Sequence, residues 1–99
     1  DPSEELQKLA VNKNPDSIKF IENPTEEVQL IAVNKNPLLN MYIIYPTKKV
    51  TKTAISKNPS VIKFIKDPSE ELQKIAVKND PDIIEDIRNP SEEVQKLAR

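Results

Sequence analysis

Glycine, cysteine, histidine and tryptophan are all absent from this chain of 99 residues. Without cysteine there are no disulfides and no thiolate metal sites, and without histidine the commonest general base and metal ligand is missing. A glycine-rich phosphate-binding loop is likewise impossible. Serine and lysine are present, but no catalytic motif joins them. We therefore expect a protein that is not an enzyme and that holds no cofactor.

Long apolar stretches are missing as well, since no run approaches the roughly 18 residues that a membrane-spanning helix needs. No signal peptide is recognisable, and the composition is compatible with a cytoplasmic location. Acidic residues cluster over 80–86, but they lack the spacing and the glycine of an EF-hand calcium loop. We expect neither a membrane contact nor a metal site.

Proline, in contrast, is frequent and regularly spaced. The nine prolines are separated alternately by 13 and 9 residues, so the sequence repeats every 22 residues. Asp or Asn precedes eight of them, and Tyr45 precedes the ninth. Proline suits the first position of a helix, and a preceding Asp or Asn accepts hydrogen bonds from the free N–H groups there. Each proline therefore predicts a helix start, with two starts per repeat.

The two helices of a repeat are expected to differ in length and capping. The first opens on a quartet such as Asp1-Pro2-Ser3-Glu4, which predicts an Asp or Asn cap and a capping box. The second is only about seven residues long, so it is a candidate 3₁₀ helix that depends on its neighbours for stability.

A two-helix unit of 22 residues cannot bury its apolar face alone, whereas stacked units bury it jointly. The sequence therefore predicts an all-α fold, a right-handed α-solenoid that forms a single domain over 1–99. Its four and a half repeats are 1–22, 23–44, 45–66, 67–88 and a terminal capping half-repeat, 89–99.

The recurring motif Asn23-Pro24-Thr25-Glu26-Glu27-Val28-Gln29 gives the chain a likeness to known arrays. The pattern resembles the leucine-rich repeat variant family, a HEAT-like class in which a helix alternates with a short, often 3₁₀, helix in units of similar length. It also resembles uncharacterised microbial arrays. The resemblance spans the whole chain and implies an architecture, not a chemistry. The cysteine cluster of that family has no counterpart here.

The repeats depart from their own consensus mainly within residues 30–53. Repeat two is apolar at three positions where repeat one is polar, and these are Leu38, Met41 and Ile44. Leu30 replaces a lysine that every other repeat carries, and Tyr45 replaces the usual Asp or Asn. These changes predict an apolar surface that the other repeats lack.

Other departures in this region are expected to lower stability. Because Tyr45 replaces a cap residue, the first helix of repeat three should lose a cap worth roughly 1 kcal/mol. Lys48 and Lys49 replace a glutamate pair in its first turn, where the helix dipole favours acids. Asn40 and Thr53 stand at apolar positions, and we expect their side chains to hydrogen-bond each other across adjacent helices.

Charge is unevenly distributed although the net charge is only −1. Repeat three has six lysines and no acidic residue, whereas repeat four has seven acidic and three basic residues. Either the two repeats attract each other, or repeat three attracts an acidic partner.

A local breach of an otherwise consistent pattern is where function is expected. We predict an exposed patch of apolar, tyrosine and lysine side chains that binds another protein, one with an acidic surface. Its candidate residues are Leu30, Leu38, Met41, Tyr42, Ile44, Tyr45, Lys48, Lys49 and Lys52.

Three alternatives stay open at this point. Sequence drift in a purely structural natural fragment produces similar changes. Tyr42 and Tyr45, together with the repeat-three lysines, suit a nucleic acid, although both arginines lie elsewhere in the chain. A self-complementary apolar patch would instead give a homodimer. The missing glycine, a start in register with the repeat and the localised substitutions favour an engineered binder on a consensus-like scaffold.

Overall fold

A computed structural model describes residues 3–99, and within this range all regular structure is helical. Predictions that concern Asp1 and Pro2 lie outside the described residues. Long helices run over α1 (Ser3–Lys13), α2 (Glu26–Lys35), α3 (Lys48–Lys57), α4 (Glu70–Asn79) and α5 (Glu92–Ala98). They alternate with 3₁₀ helices η1 (Pro15–Phe20), η2 (Pro37–Tyr42), η3 (Pro59–Phe64) and η4 (Pro81–Asp86).

The predicted all-α array of two-helix repeats is therefore confirmed, including the 3₁₀ character of the second helix. The prolines that begin the 3₁₀ helices occupy the first helical position, as expected. The preceding Asn or Asp caps each helix by accepting a hydrogen bond from the N–H two residues further on. These caps are Asn14, Asn36, Asn58 and Asp80.

The predicted caps of α2 to α5 are wrong, because these helices begin two residues after the proline. The N–H of Val28 donates to Oγ1 of Thr25, so Thr25 and not Asn23 caps α2. The equivalent Thr or Ser caps each later long helix. With the cap shifted, the third residue after it is Val28, so no capping box forms there.

In repeat four and in the terminal half-repeat, the Asp or Asn before the proline lies in the turn that precedes the helix and does not cap it. Asp67 and Asn89 have φ values of 53° and 54°. This is the left-handed region, which Asp and Asn tolerate better than most side chains. The expected loss of a cap at Tyr45 is also wrong, because α3 likewise begins two residues after its proline and is capped by Thr47. The N–H of Val50 donates to Oγ1 of Thr47 at 3.2 Å, so α3 keeps its cap.

The helices form two layers that share one apolar core. Each long helix packs on the next long helix, and each 3₁₀ helix packs on the next 3₁₀ helix. Each 3₁₀ helix also contacts the long helix of its own repeat and that of the following repeat. The stack measures 48 × 19 × 16 Å. Small side chains at one fixed position of α2, α3 and α4 are completely buried, and these are Ala32, Ala54 and Ala76.

Aliphatic side chains fill the space between the layers, and each repeat contributes some of the most deeply buried ones. No helix among residues 3–99 combines the length and the apolar character that crossing a bilayer requires. The chain therefore consists of a regular scaffold, against which local differences between repeats stand out.

Candidate interaction surface

The apolar residues of repeat two lie on the outer side of the 3₁₀ layer. A 3₁₀ helix has three residues per turn, so positions 38 and 41 share one side of η2, and Ile44 follows at the same spacing. Leu38 is 36% exposed, Met41 45% and Ile44 84%. Leu39 and Ile43 point the other way and are buried in the core. Sequence periodicity thus separates the outer side chains from the inner ones.

Tyr42, Ile44 and Tyr45 line a groove of about 170 Å³ between the loops of repeats one and two. The Nζ atom of Lys19 lies 4.2 Å from the centroid of the Tyr42 ring, which is a cation–π contact. Tyr45 is 85% exposed. Leu38, Met41, Tyr42, Ile44 and Tyr45 together are called the η2 surface below.

The corresponding groove between repeats three and four has a different lining. Equivalent positions line both grooves, but the second has charged or polar residues where the first has Tyr42, Ile44 and Tyr45. These residues are Asp86, Arg88 and Asn89. Lys63 also pairs with Asp86 at 3.7 Å. The apolar, tyrosine-lined groove is therefore a feature of repeats one and two and not a general consequence of the fold.

The remaining candidate residues lie in the other layer. Leu30 is on α2, where it is half-buried and packs against the core. Lys48, Lys49 and Lys52 are on α3, and with Lys57 they line a shallow groove along that helix. These four lysines are called the α3 basic face. The structure thus divides the predicted patch into two surfaces.

One acidic residue of the following repeat partly neutralises the α3 basic face. The Glu71 carboxylate lies 2.6 Å from Nζ of Lys52 and 3.2 Å from Nζ of Lys48. Hydrogen bonds from Lys52 and then Lys48 lower the pKa of the Glu71 carboxyl below its ordinary value. Lys49 and Lys57 make no ion pair within residues 3–99.

Ion pairs between the eighth residue of one repeat and the fifth of the next recur along the long helices. The pairs are Lys8–Glu27, Lys52–Glu71 and Lys74–Glu93. Hydrogen bonding to Glu27 also raises the pKa of Lys8. At the junction between repeats two and three both positions are changed, to Leu30 and Lys49. By analogy with the other junctions, a lysine at position 30 would lie close to Lys49, and Leu30 avoids that like-charge repulsion.

A second matched pair of changes lies in the core of the same junction. The Thr51 hydroxyl donates to Oδ1 of Asn40 at 3.4 Å, and both side chains are buried. The predicted pairing of Asn40 with Thr53 is wrong. Residues 51 and 53 are about 200° apart around an α-helix, and Thr53 instead donates to the carbonyl oxygen of Lys49 at 2.9 Å. The other junctions have isoleucine and glutamine at these two positions.

Glutamine at this position links two repeats in one case, that of Gln29. Nε2 of Gln29 donates to the carbonyl oxygen of Pro24, and Oε1 of Gln29 accepts from the N–H of Thr47 in the next repeat. Thr51 is too short for this bridge.

Reasoning from single repeats missed the roles of Thr51, Lys57 and Glu71. Comparison of equivalent positions across successive junctions would have indicated them.

Within residues 3–99, no group of three or more acidic side chains is arranged to hold a metal ion. No protein-family model matches the sequence. Comparison with curated proteins and comparison with solved structures likewise gave no match.

Proposed function

We propose that this chain is a non-enzymatic helical-repeat module that binds another protein through the η2 surface. The supporting observation is the exposure of Ile44 and Tyr45, which is 84% and 85%. Every other full repeat has a charged residue at the position of Ile44. Contiguous exposed apolar side chains usually mark interaction sites.

The chemistry of the η2 surface suits a protein partner. Tyrosine and methionine are enriched at protein interfaces, and exposed tyrosine is a frequent source of binding energy. The groove of about 170 Å³ is smaller than the roughly 300–1,000 Å³ typical of small-molecule sites. Its size therefore favours one inserted side chain of a partner over a cofactor.

We also propose that the array is related in architecture to the leucine-rich repeat variant and HEAT-like classes, and that it was engineered as a binder. The alternation of a long helix with a 3₁₀ helix supports the first proposal. The absence of glycine and the concentration of changes at one junction support the second. A natural structural fragment remains the alternative origin.

Nucleic acid is the second candidate partner, since Tyr42 and Tyr45 are exposed and repeat three is basic. However, the tyrosines and the α3 basic face belong to different layers, and Glu71 holds two of the lysines. Affinity for single-stranded DNA should fall steeply with salt concentration if nucleic acid is the partner. Weak binding without a salt dependence would remove this candidate.

Site-specific photo-crosslinking in cells that express the protein tests the proposal. Benzoylphenylalanine replaces Ile44 in one chain and Phe20 in the matched control, because Phe20 is 88% exposed and lies outside the η2 surface. We expect a discrete protein adduct from position 44 and none from position 20. A crosslink only to a second copy, with a dimer in sedimentation, would indicate self-association. Equal labelling from both positions would contradict the proposal.

A further inference from the structure

We propose that the junction between α2 and α3 receives an acidic helical segment of the protein partner, with carboxylates on the α3 basic face and an apolar side chain on Leu30. This inference rests on the proposed function and names the chemistry of the partner. It concerns the layer of long helices, whereas the η2 surface lies in the 3₁₀ layer. The two surfaces are therefore open to separate tests.

The first supporting observation is the matched change of Leu30 and Lys49. At the neighbouring junctions these positions hold a lysine and a glutamate that neutralise each other. Here the two equivalent positions hold the half-buried Leu30 and Lys49, and Lys49 makes no ion pair among residues 3–99. The junction thus lacks the carboxylate that the rest of the stack supplies from within, and a partner carboxylate can take that place.

The second observation is the excess positive charge along α3. Four lysines line one groove, and Glu71 of repeat four pairs with only Lys48 and Lys52. Lys49 and Lys57 are eight residues apart, which is about 12 Å along a helix axis. Two carboxylates about two helical turns apart on a partner helix would therefore reach both lysines.

The composition of the groove favours carboxylates over phosphates. The groove has no arginine, which is the usual bidentate ligand of phosphate, and its other residues are Thr53 and Ser56. Leu30 adds an apolar contact that a phosphate backbone cannot use. Helix-on-helix packing is also how this layer is built, so an added helix would continue the packing already present between α2 and α3.

Titration of the ¹⁵N-labelled chain with a synthetic helical peptide tests this inference. The peptide has glutamates seven residues apart with leucines between them, and the control peptide has lysines in place of the glutamates. Single-stranded oligothymidine is the third ligand. We expect the glutamate peptide to shift the amide signals of Leu30, Lys49 and Lys57 and to bind at least about tenfold more tightly than the lysine peptide.

Two variants separate this inference from the proposed function. L30K/K49E introduces the ion pair of the other junctions and should weaken binding of the glutamate peptide about tenfold. M41K/I44E/Y45N changes only the η2 surface and should leave that affinity unchanged. The inference would be overturned by equal affinity for both peptides or by the absence of amide shifts at about 1 mM peptide. It would also be overturned if the oligonucleotide bound more tightly than the glutamate peptide, or if L30K/K49E kept its full affinity for that peptide. Loss of peptide binding only in M41K/I44E/Y45N would place the peptide on the η2 surface, which overturns this inference but not the proposed function.

Discussion

The Thr51 hydroxyl donates a buried hydrogen bond to Oδ1 of Asn40 across the junction between repeats two and three. The other junctions place isoleucine and glutamine at these positions. On the layer of long helices, the same junction replaces a lysine and a glutamate with Leu30 and Lys49. Changes at this junction therefore come at paired positions, which are a buried hydrogen-bonded pair in the core and the two positions that form an ion pair at the other junctions.

Replacement of Thr51 by valine is expected to lower the free energy of unfolding by about 1–3 kcal/mol, because the buried Asn40 amide then lacks its partner. The double variant N40I/T51Q restores the residues of the other junctions and should be at least as stable as the original chain. Urea unfolding at constant pH measures both. An unchanged midpoint for T51V would show that the Asn40–Thr51 bond does not contribute to stability.

The position of the α3 cap gives a second prediction. Thr47→Ala should lower the free energy of unfolding by about 1 kcal/mol, because the N–H of Val50 loses its acceptor. Tyr45→Asn should change it by less than about 0.5 kcal/mol, since an exposed loop residue is replaced. Denaturant unfolding of the two single variants would contradict the assignment if Tyr45→Asn had the larger effect.

The Glu71 carboxylate should make the free energy of unfolding depend on pH in a defined direction. Its pKa is lower in the folded chain than the ordinary value of 4.5, so the ionised form stabilises the fold. This contribution to stability is fully present at pH values above the ordinary pKa, and it is lost as the pH falls through the lowered pKa of the folded chain. The stability difference between the original chain and E71Q should therefore be constant near neutral pH and disappear in acid.

Unfolding curves recorded across this pH range at low salt measure the difference. High salt serves as the control, since it screens exposed ion pairs and should reduce the difference at neutral pH. A difference that increased toward acid pH would contradict the role of Lys48 and Lys52 as partners of Glu71.

The η2 surface should be dispensable for folding. M41K/I44E/Y45N introduces the residues found 22 positions earlier, which are Lys19, Glu22 and Asn23. We expect its free energy of unfolding to lie within about 1 kcal/mol of the original value, because these side chains are exposed. Leu39→Ala, at a buried position of the same helix, should lower it by about 2–5 kcal/mol. A comparable loss in the triple variant would assign its residues to the core.

Much of the fold follows from the spacing of the prolines, because proline at the first helical position and Asn before it fix the start of each 3₁₀ helix. The starts of α2 to α5 were predicted two residues too early. Asn23 and Thr25 are both good caps, and only the backbone conformation of the turn decides between them. That conformation depends on packing between repeats, which a local motif does not encode.

The candidate site was predictable to a similar degree. Exposure of Ile44 and Tyr45 follows from comparing equivalent positions of the repeats. The pairing of Asn40 with Thr51 rather than Thr53 did not follow, because it depends on which side of α3 faces η2. The division between η2 surface and α3 basic face likewise depends on how the two layers stack, and the sequence pattern of one helix does not contain this information.

The central claim is that the exposed side chains of repeats two and three bind a protein partner and are not needed for the scaffold. Its most direct test is the dissociation constant of the protein crosslinked from position 44, measured for the original chain, for M41K/I44E/Y45N and for F20D. We expect the triple variant to bind at least about a hundredfold more weakly and F20D to bind within about twofold of the original chain. Undiminished affinity of the triple variant, or an equal loss in F20D, would contradict the claim.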